Sequence, residues 1–304
     1  MIRVIFISNL RMLFLFLLIN RVSDRDLFFL SDKNIKLEKN RFYTLSTPKS
    51  ILELVLKKII SKFSMLYILY KNKLNKEEVI CYGADHILGS AFFLKRYKFY
   101  LIEDGTENYQ LKNYERSWKN KLCSLPKFGM HKNVVKIYLT KKENVPDCIK
   151  DKVEFINIKE LWNKKTEDEK NKIFHLLNVD KYKLNQLNGK STVLFTQPLS
   201  EDNILSESEK ISLYKDIISK YEPSKLVIKP HPREKTDYSK YFPEITVFNE
   251  TYPSEILDVL GVNFDKAVTL FSTAVFSYSK ENVDFYGTKI HPKLLARFGN
   301  IEYE

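Results

Sequence analysis

Short apolar runs alternate with segments of helical periodicity along the whole chain, and this alternation limits the fold more than any other feature. Residues 4–7, 79–82 and 226–228 are examples of these runs, which are rich in β-branched and other large apolar side chains. Runs of this length and composition predict strands that are buried on both faces. Because strands that alternate with helices are typical of parallel sheets covered by helices, we predict an α/β protein.

The length of the chain predicts two domains. It has 304 residues, of which 44% are hydrophobic, and this is enough for two cores of ordinary size. Residues 167–187 are predicted as one polar helical stretch that crosses between the domains and ends at Asn188-Gly189. We expect two Rossmann-like domains, over residues 1–185 and 186–304, that face each other across a cleft.

An apolar segment near the N-terminus raises the question of a signal peptide or a membrane anchor. Residues 12–19 are all apolar, but Arg11 and Arg21 bound the segment. The uninterrupted stretch is much shorter than the about 20 residues that cross a bilayer. We therefore predict a buried strand over residues 4–7 and a buried helix over residues 10–20, in preference to a signal peptide or an anchor.

The chain is strongly basic, with 50 Lys and Arg residues, 38 Asp and Glu residues and a net charge of +12. This balance indicates anionic partners, such as nucleotides, an acidic membrane surface or nucleic acid. Because the basic residues are spread along the chain, we expect most of this charge to be ordinary solvated surface. Attraction to a membrane surface is the second interpretation, and binding of nucleic acid is the third.

The three cysteines, Cys81, Cys123 and Cys148, lack paired spacing, which argues against a disulfide framework or a zinc site. Their pattern fits a reducing, cytoplasmic setting.

The most distinctive motif is Lys229-Pro230-His231-Pro232-Arg233, which directly follows the apolar run at residues 226–228. Proline on both sides restricts the backbone, so that His231 is presented in a fixed direction. Ligands of open parallel sheets bind outside the carboxyl ends of the strands. The motif predicts a basic loop that meets an anion such as a phosphate, although the same residues could simply end a strand.

Polar residues also follow other predicted strands. Glu103-Asp104-Gly105 offers two adjacent carboxylates, which could supply a general base or could begin a helix. Gln197 and Asp202 follow the first strand of the second domain, and Asp202 could equally cap the next helix. Ser272-Thr273 ends a strand and opens a helix, an arrangement that binds anions. Glu255, in the first turn of a predicted helix, could accept hydrogen bonds from ribose hydroxyls.

The sequence does not predict a metal site. The only Asp-x-Asp sequence, Asp24-Arg25-Asp26, precedes a predicted strand rather than following one. The five histidines show no spacing typical of metal ligands; they are His86, His131, His175, His231 and His291. We expect His86 to face the cleft, because it follows the strand at residues 79–82.

Three motifs in this order, Glu103-Asp104-Gly105, Lys229 to Arg233, and Phe271 to Ala274, resemble those of bacterial sialyltransferases. The closest resemblance is to glycosyltransferase family 52, the lipooligosaccharide and capsule sialyltransferases, and it runs from about residue 79 to the C-terminus. It implies a GT-B fold with an N-terminal acceptor-side domain and a C-terminal domain that binds the CMP-sugar. It also implies inverting transfer of sialic acid from CMP-sialic acid to a galactose hydroxyl, without a metal or a cofactor.

The resemblance also implies roles for single residues. The CMP phosphate would be held by His231, Ser272 and Thr273, and the ribose by Glu255. The remaining residues expected at the CMP-sugar site are Lys229, Pro232, Arg233, Gln197 and Gly105. In the closest relatives the base would be Asp202, with Glu201 as the alternative in the same loop. Other bacterial sialyltransferase families would instead place the base at Glu103 or Asp104.

Two alternative functions stay open at this point. The same loops would serve a GT-B transferase that uses another nucleotide sugar. A basic protein that binds nucleic acid or anionic lipid would need clustered basic and aromatic residues. The lysines near residues 57–58 and 71–76 come nearest to such a cluster.

We expect a galactose-terminated, lipid-linked acceptor and peripheral contact with the inner face of the cell membrane. The resemblance also allows a homodimer, since relatives form dimers.

Overall fold

Tertiary contacts divide the chain into two compact units, Met1–Val179 and Asp180–Glu304. The second unit begins six residues before the predicted boundary at residue 186. The computed structural model describes residues 1–31, 42–44, 60, 63–68, 70–71, 78–115, 125–250, 252–272, 274–275 and 278–303. Each unit contains its own parallel sheet and its own apolar core.

The N-terminal unit is built on a seven-stranded parallel sheet with the order β3-β2-β1-β4-β5-β6-β7. Its strands are β1 (Ile2–Ile7), β2 (Leu27–Leu30), β3 (Phe42–Thr44), β4 (Val79–Gly83), β5 (Lys98–Ile102), β6 (Val134–Leu139) and β7 (Val153–Phe155). The described helices of this unit include Leu10–Ile19, Ser90–Leu94, Ile158–Asn163 and Glu167–Leu176, and residues 63–68 are also helical. The strand order reverses at β1 and β4, and in open parallel sheets ligands bind at such a point.

The predicted apolar strand and helix at the N-terminus are confirmed. Asn9 caps the helix Leu10–Ile19, since its Oδ1 accepts the backbone N–H of Met12 at 2.9 Å. The seven consecutive side chains of residues 12–18 are buried, so that this helix is covered on all sides. No helix in the described part of the chain combines the length and the apolar character that crossing a membrane requires.

The C-terminal unit contains a five-stranded parallel sheet with the order β10-β9-β8-β11-β12. Its strands are β8 (Thr192–Phe195), β9 (Leu226–Lys229), β10 (Thr246–Val247), β11 (Lys266–Thr269) and β12 (Val283–Phe285). Its helices span Lys181–Leu184, Glu207–Ile218, Tyr238–Tyr241, Ser254–Val259 and Pro292–Phe298. Because β8 lies between β9 and β11, the loops that follow these three strands emerge side by side at one edge.

The prediction of one helix over residues 167–187 is wrong. The first helix ends at Leu176, and Asn178 then adopts a left-handed backbone with a φ of 53°. A second helix begins at Lys181, where the side chain of Asp180 accepts the backbone N–H of Tyr182 at 2.9 Å. Local capping groups therefore break a stretch whose polar composition alone predicted continuity. The helix predicted over residues 51–70 lies largely outside the described residues.

Gly83 allows β1 and β4 to approach closely at the edge of the sheet where the polar loops begin. A Cβ atom at this position would lie 2.0 Å from the carbonyl oxygen of Phe6, and the φ of Gly83 is 101°. The same carbonyl accepts the backbone N–H of Ala84 at 2.8 Å. A side chain at residue 83 would therefore push the β4 loop, which carries His86, away from β1.

We expect Gly83→Ala to destabilise the protein by about 3 kcal/mol or more, at the upper end of single substitutions. Gly189→Ala is the matched control, because Gly189 also has a positive φ, 74°, but has nothing within 4 Å of its added Cβ. The control should lose only the about 1–2 kcal/mol of a left-handed backbone. Urea unfolding followed by circular dichroism measures both changes, and equal losses would contradict the close approach.

Candidate active site

The two carboxylates of the Glu103-Asp104 pair have different surroundings. The Glu103 side chain is 2% exposed and forms an ion pair with Arg11 at 2.7 Å. Its carboxylate also accepts the hydroxyl of Tyr109 at 2.7 Å and the hydroxyl of Thr140 at 2.8 Å. The backbone N–H of Thr140 donates to Oε2 of Glu103, the oxygen that also accepts these two hydroxyl groups. Glu103 is thus fully engaged in joining the ends of β5 and β6 to the first helix.

Asp104, in contrast, meets two polar side chains that follow other strands. Its Oδ1 accepts the Nδ2–H of Asn9 at 2.5 Å, and its Oδ2 lies 3.1 Å from Nε2 of His86. These residues follow β1 and β4, so the parallel sheet brings three sequence-distant groups together at one edge. The next residue, Gly105, has a φ of 56° and makes the turn after Asp104.

A buried carboxylate fixes the surroundings of His86. Asp85 accepts the backbone N–H groups of Phe128 and Gly129, each at 2.8 Å. Burial raises the pKa of Asp85, while these two hydrogen bonds oppose the change. Phe128 adopts a φ of 54°, and its ring stacks on His86 with the ring centres 4.8 Å apart. The Asp85 carboxylate therefore holds the turn whose aromatic ring supports the His86 imidazole.

In the C-terminal unit, His231 has a defined orientation directly after β9. Its backbone N–H donates to Glu234 at 2.7 Å, and its Nδ1 accepts the backbone N–H of Arg233 at 3.1 Å. Burial, followed by the positive charge of Arg233, lowers the pKa of His231. A neutral imidazole whose Nδ1 accepts a hydrogen bond carries its proton on Nε2. His231 can therefore donate a hydrogen bond from Nε2 to an anion.

Asp202, the predicted base, lies in the loop after β8 and pairs with Arg233. The two Asp202 oxygens accept hydrogen bonds from the guanidinium at 2.6 and 3.0 Å, the bidentate geometry typical of Arg and a carboxylate. The side chain of Asp202 is 35% exposed and that of Arg233 is 59% exposed. An ion pair so open to solvent contributes only about 0–1 kcal/mol, so either group can exchange its partner for a ligand at little cost.

Lys229 is buried at the end of β9, and its side chain binds the loop that follows β10. Its ammonium donates to the backbone oxygen of Glu250 at 2.8 Å and lies 5.5 Å from the ring centre of Phe248. Burial lowers the pKa of Lys229 to about 8, with Glu250 opposing the change. The group therefore still carries a positive charge at neutral pH, directly before the His231 loop.

Of the other predicted nucleotide-site residues, Ser272 and Gln197 follow strands at the same edge of the C-terminal sheet and Glu255 lies on the helix that follows β10, whereas Gly105 belongs to the N-terminal unit. Ser272 follows β11; its backbone N–H donates to Thr269 at 2.9 Å, and its hydroxyl accepts the backbone N–H of Ala274. The hydroxyl hydrogen of Ser272 is not used in these bonds. The backbone N–H of Gln197 donates to the Tyr214 hydroxyl at 2.7 Å. The positions of the rest are as follows: Pro232 is exposed, Glu255 is half-buried in a helical first turn, and Thr273 lies outside the described residues.

Comparison with known proteins identifies the family of this chain. Residues 5–294 match glycosyltransferase family 52, and the chain belongs to this family. A protein of Haemophilus influenzae described only as uncharacterized is 62% identical over 300 residues, which cover 98% of each chain. The predicted family is therefore confirmed.

The solved structures with a similar fold include two sialyltransferases. One is the GT-B domain of a sialyltransferase from Photobacterium damselae, with a TM-score of 0.63, 13% identity and coverage of 94% of this chain and 90% of that chain. The other is the 2,6-sialyltransferase of Photobacterium sp. JT-ISH-224 in complex with CMP and lactose, with a TM-score of 0.64, 12% identity and coverage of 93% and 71%. At these identities the likeness shows the fold alone, and it confirms the predicted GT-B class.

Several residues that shape the two edges have no signal in the sequence. Asn9 caps the first helix, but its bond to Asp104 depends on strands that are far apart in sequence. Lys210 lies in a charged segment that is typical of a solvated helix face, yet its side chain is fully buried. The pairing of Asp202 with Arg233 is likewise a tertiary contact. Only the parallel strand order, once known, places these groups together.

The different surroundings of Glu103 and Asp104 predict different effects on stability. Glu103→Gln leaves the Arg11 guanidinium without its buried counter-charge and should cost about 3–5 kcal/mol. Asp104→Asn keeps an oxygen for Asn9 and should change the free energy of unfolding by no more than about 1 kcal/mol. Chemical denaturation of the two variants checks this, and a larger loss for Asp104→Asn would contradict the assignment of Glu103 as the structural acid.

The pKa of His231 should respond to Arg233. We expect Arg233→Ala to raise this pKa, because it removes a neighbouring positive charge and leaves the carboxylate of Asp202 unpaired. Lys235→Ala removes the same charge from an exposed side chain and is the matched control. NMR titration of the ¹⁵N-labelled imidazoles measures both, and an equal shift in the control would show that the effect comes from net charge alone.

Proposed function

We propose that the protein is an inverting sialyltransferase that moves sialic acid from CMP-sialic acid to the terminal galactose of a lipooligosaccharide or capsular glycan. The observation that carries this proposal is the fixed His231 imidazole, whose Nδ1 accepts a hydrogen bond, in a chain that belongs to family 52. The fold, which is similar to that of a sialyltransferase solved with CMP and lactose, is compatible with this proposal.

The C-terminal unit would bind the donor. A hydrogen bond from His231 Nε2 and another from the Ser272 hydroxyl would hold the phosphate, and the charged Lys229 lies two residues before His231 at the end of β9. Glu255 would hold the ribose. These donors are fixed before the reaction, so they stabilise the negative charge that grows on CMP as it leaves.

The transfer would be a single displacement. The oxygen of the acceptor hydroxyl forms a bond to the anomeric carbon of sialic acid while the bond from that carbon to the phosphate oxygen breaks. The electron pair of the broken bond leaves with CMP, and the hydroxyl proton passes to a carboxylate that acts as general base. One displacement inverts the anomeric centre and needs neither an enzyme nucleophile nor a metal.

Asp202 is the proposed base. Its loop is joined to the His231 loop through Arg233, and the exposed ion pair with Arg233 is weak enough to yield to the anionic donor. Asp104, with His86 at 3.1 Å, would then contribute to binding the acceptor sugar. A galactose-terminated acceptor of this kind is carried on a lipid, so we also propose that the protein, with a net charge of +12, works at the cytoplasmic face of the membrane.

Release of CMP and formation of sialyl-lactose from CMP-sialic acid and lactose, with EDTA present, tests the proposal. We expect turnover by the wild type and a loss of about 100-fold or more in His231→Ala, the usual effect of removing a fixed donor at a developing charge. His175→Ala, which changes an exposed histidine, is the control and should retain full activity. If CMP fails to raise the melting temperature while UDP or GDP does, the donor is a different nucleotide sugar.

Kinetics of Asp202→Asn and Asp104→Asn test the assignment of the base. We expect Asp202→Asn to lower kcat by about 100-fold or more, because the amide cannot take the acceptor proton. Asp104→Asn should mainly raise the KM for the acceptor. The reverse result, with the large loss of kcat in Asp104→Asn, would contradict the assignment and place the base in the N-terminal unit.

A further inference from the structure

A lysine is fully buried beneath the loops of the C-terminal unit that carry Asp202 and His231. Lys210 belongs to the helix Glu207–Ile218, and none of its side chain is exposed. Its ammonium lies 3.0 Å from Glu201 and 3.2 Å from Glu234, which belong to the loops after β8 and β9 respectively. One positive charge therefore joins two separate loops.

The contact of Lys210 with Glu234 fixes the His231 loop. The side chain of Glu234 is fully buried, and its Oε1 accepts the backbone N–H of His231 at 2.7 Å and the hydroxyl of Thr196 at 2.5 Å. Its Oε2 accepts the hydroxyl of Tyr238 and faces Lys210. Glu234 thus ties the His231 backbone to the end of β8.

The contact of Lys210 with Glu201 fixes the residue next to Asp202. Glu201 accepts the backbone N–H of Lys235 at 2.7 Å and the hydroxyl of Ser200 at 3.1 Å, besides its contact with Lys210. Burial acts to raise the pKa of Glu201, but the hydrogen bonds from Lys235 and Lys210 outweigh it and hold the pKa to about 2. Glu201 therefore stays charged and fixes the backbone from which Asp202 extends.

Stability alone gives little reason for such a cluster. Removing a lysine from water is costly, and replacing a whole buried ion pair with apolar groups is often neutral or stabilising. What this cluster does provide is a fixed relation between the two loops, because Glu201 from the loop after β8 and Glu234 each accept a backbone N–H group of the loop after β9 and both face Lys210. A displacement reaction requires that the general base and the donor that holds the phosphate keep fixed positions relative to each other.

We propose that Lys210 is a positioning residue, which acts through Glu201 and Glu234 to hold Asp202 and His231 in register. The inference rests on the proposed function for the catalytic roles of those two residues. Lys210 itself touches no substrate. Its loss should loosen the two loops together while the sheet of the C-terminal unit keeps its structure.

Lys210→Met tests this, with Arg3→Met as the matched control. Arg3 forms a largely buried ion pair with Asp26 at 2.7 Å in the N-terminal unit, so the control also removes one charge of such a pair. We expect hydrogen–deuterium exchange in Lys210→Met to rise selectively in segments 197–206 and 229–237. We also expect kcat to fall by about 100-fold, with a smaller change in the KM for lactose. Arg3→Met should show neither effect.

If Lys210→Met does not fold, the double variant Lys210→Met with Glu234→Gln removes both fully buried charges and should show the same exchange and the same loss of kcat. Uniform exchange across the unit, or selective exchange with an unchanged kcat, would overturn the positioning role. A wild type without sialyl transfer would refute the proposed function instead. The exchange comparison would then still decide whether Lys210 holds the two loops.

Discussion

Parallel strand pairing is the constraint on which the rest of the structure depends. In a parallel sheet every strand ends at the same edge, so residues far apart in sequence meet there without any direct link. Asn9, His86 and Asp104 follow three strands of the N-terminal sheet and meet in this way. In the C-terminal sheet the same rule brings the loops of Asp202, His231 and Ser272 to one edge.

The loops at these edges contain many backbone N–H groups that no strand can satisfy, and buried carboxylates accept several of them. Asp85, Glu103 and Glu234 each accept at least one backbone N–H group from a loop. A buried polar group without a partner costs about 1–3 kcal/mol, so each of these acids satisfies a loop N–H group that would otherwise destabilise the edge. They leave Asp104, Asp202 and His231 as the groups that are oriented but available to a ligand.

Much of this arrangement could be predicted from the sequence. The apolar runs identified β1, β4, β8 and β9, because strands buried on both faces leave a continuous apolar pattern, and the proline-flanked His231 identified the edge of the C-terminal sheet. The sequence could not separate Glu103 from Asp104, since their difference depends on Arg11 and Thr140 from other elements. The burial of Lys210 could not be predicted either, because a charged helix segment has no sequence pattern that indicates burial under neighbouring loops.

The stereochemistry of the first product formed from CMP-sialic acid and lactose tests the central claim most directly. Sialic acid is β-linked in the donor, so proton NMR recorded during the first turnovers distinguishes inversion from retention. The account predicts sialyl-lactose with an α linkage, formed in a one-to-one ratio with CMP. A β-linked product, or consumption of CMP-sialic acid without transfer to any galactose-terminated acceptor, would contradict it.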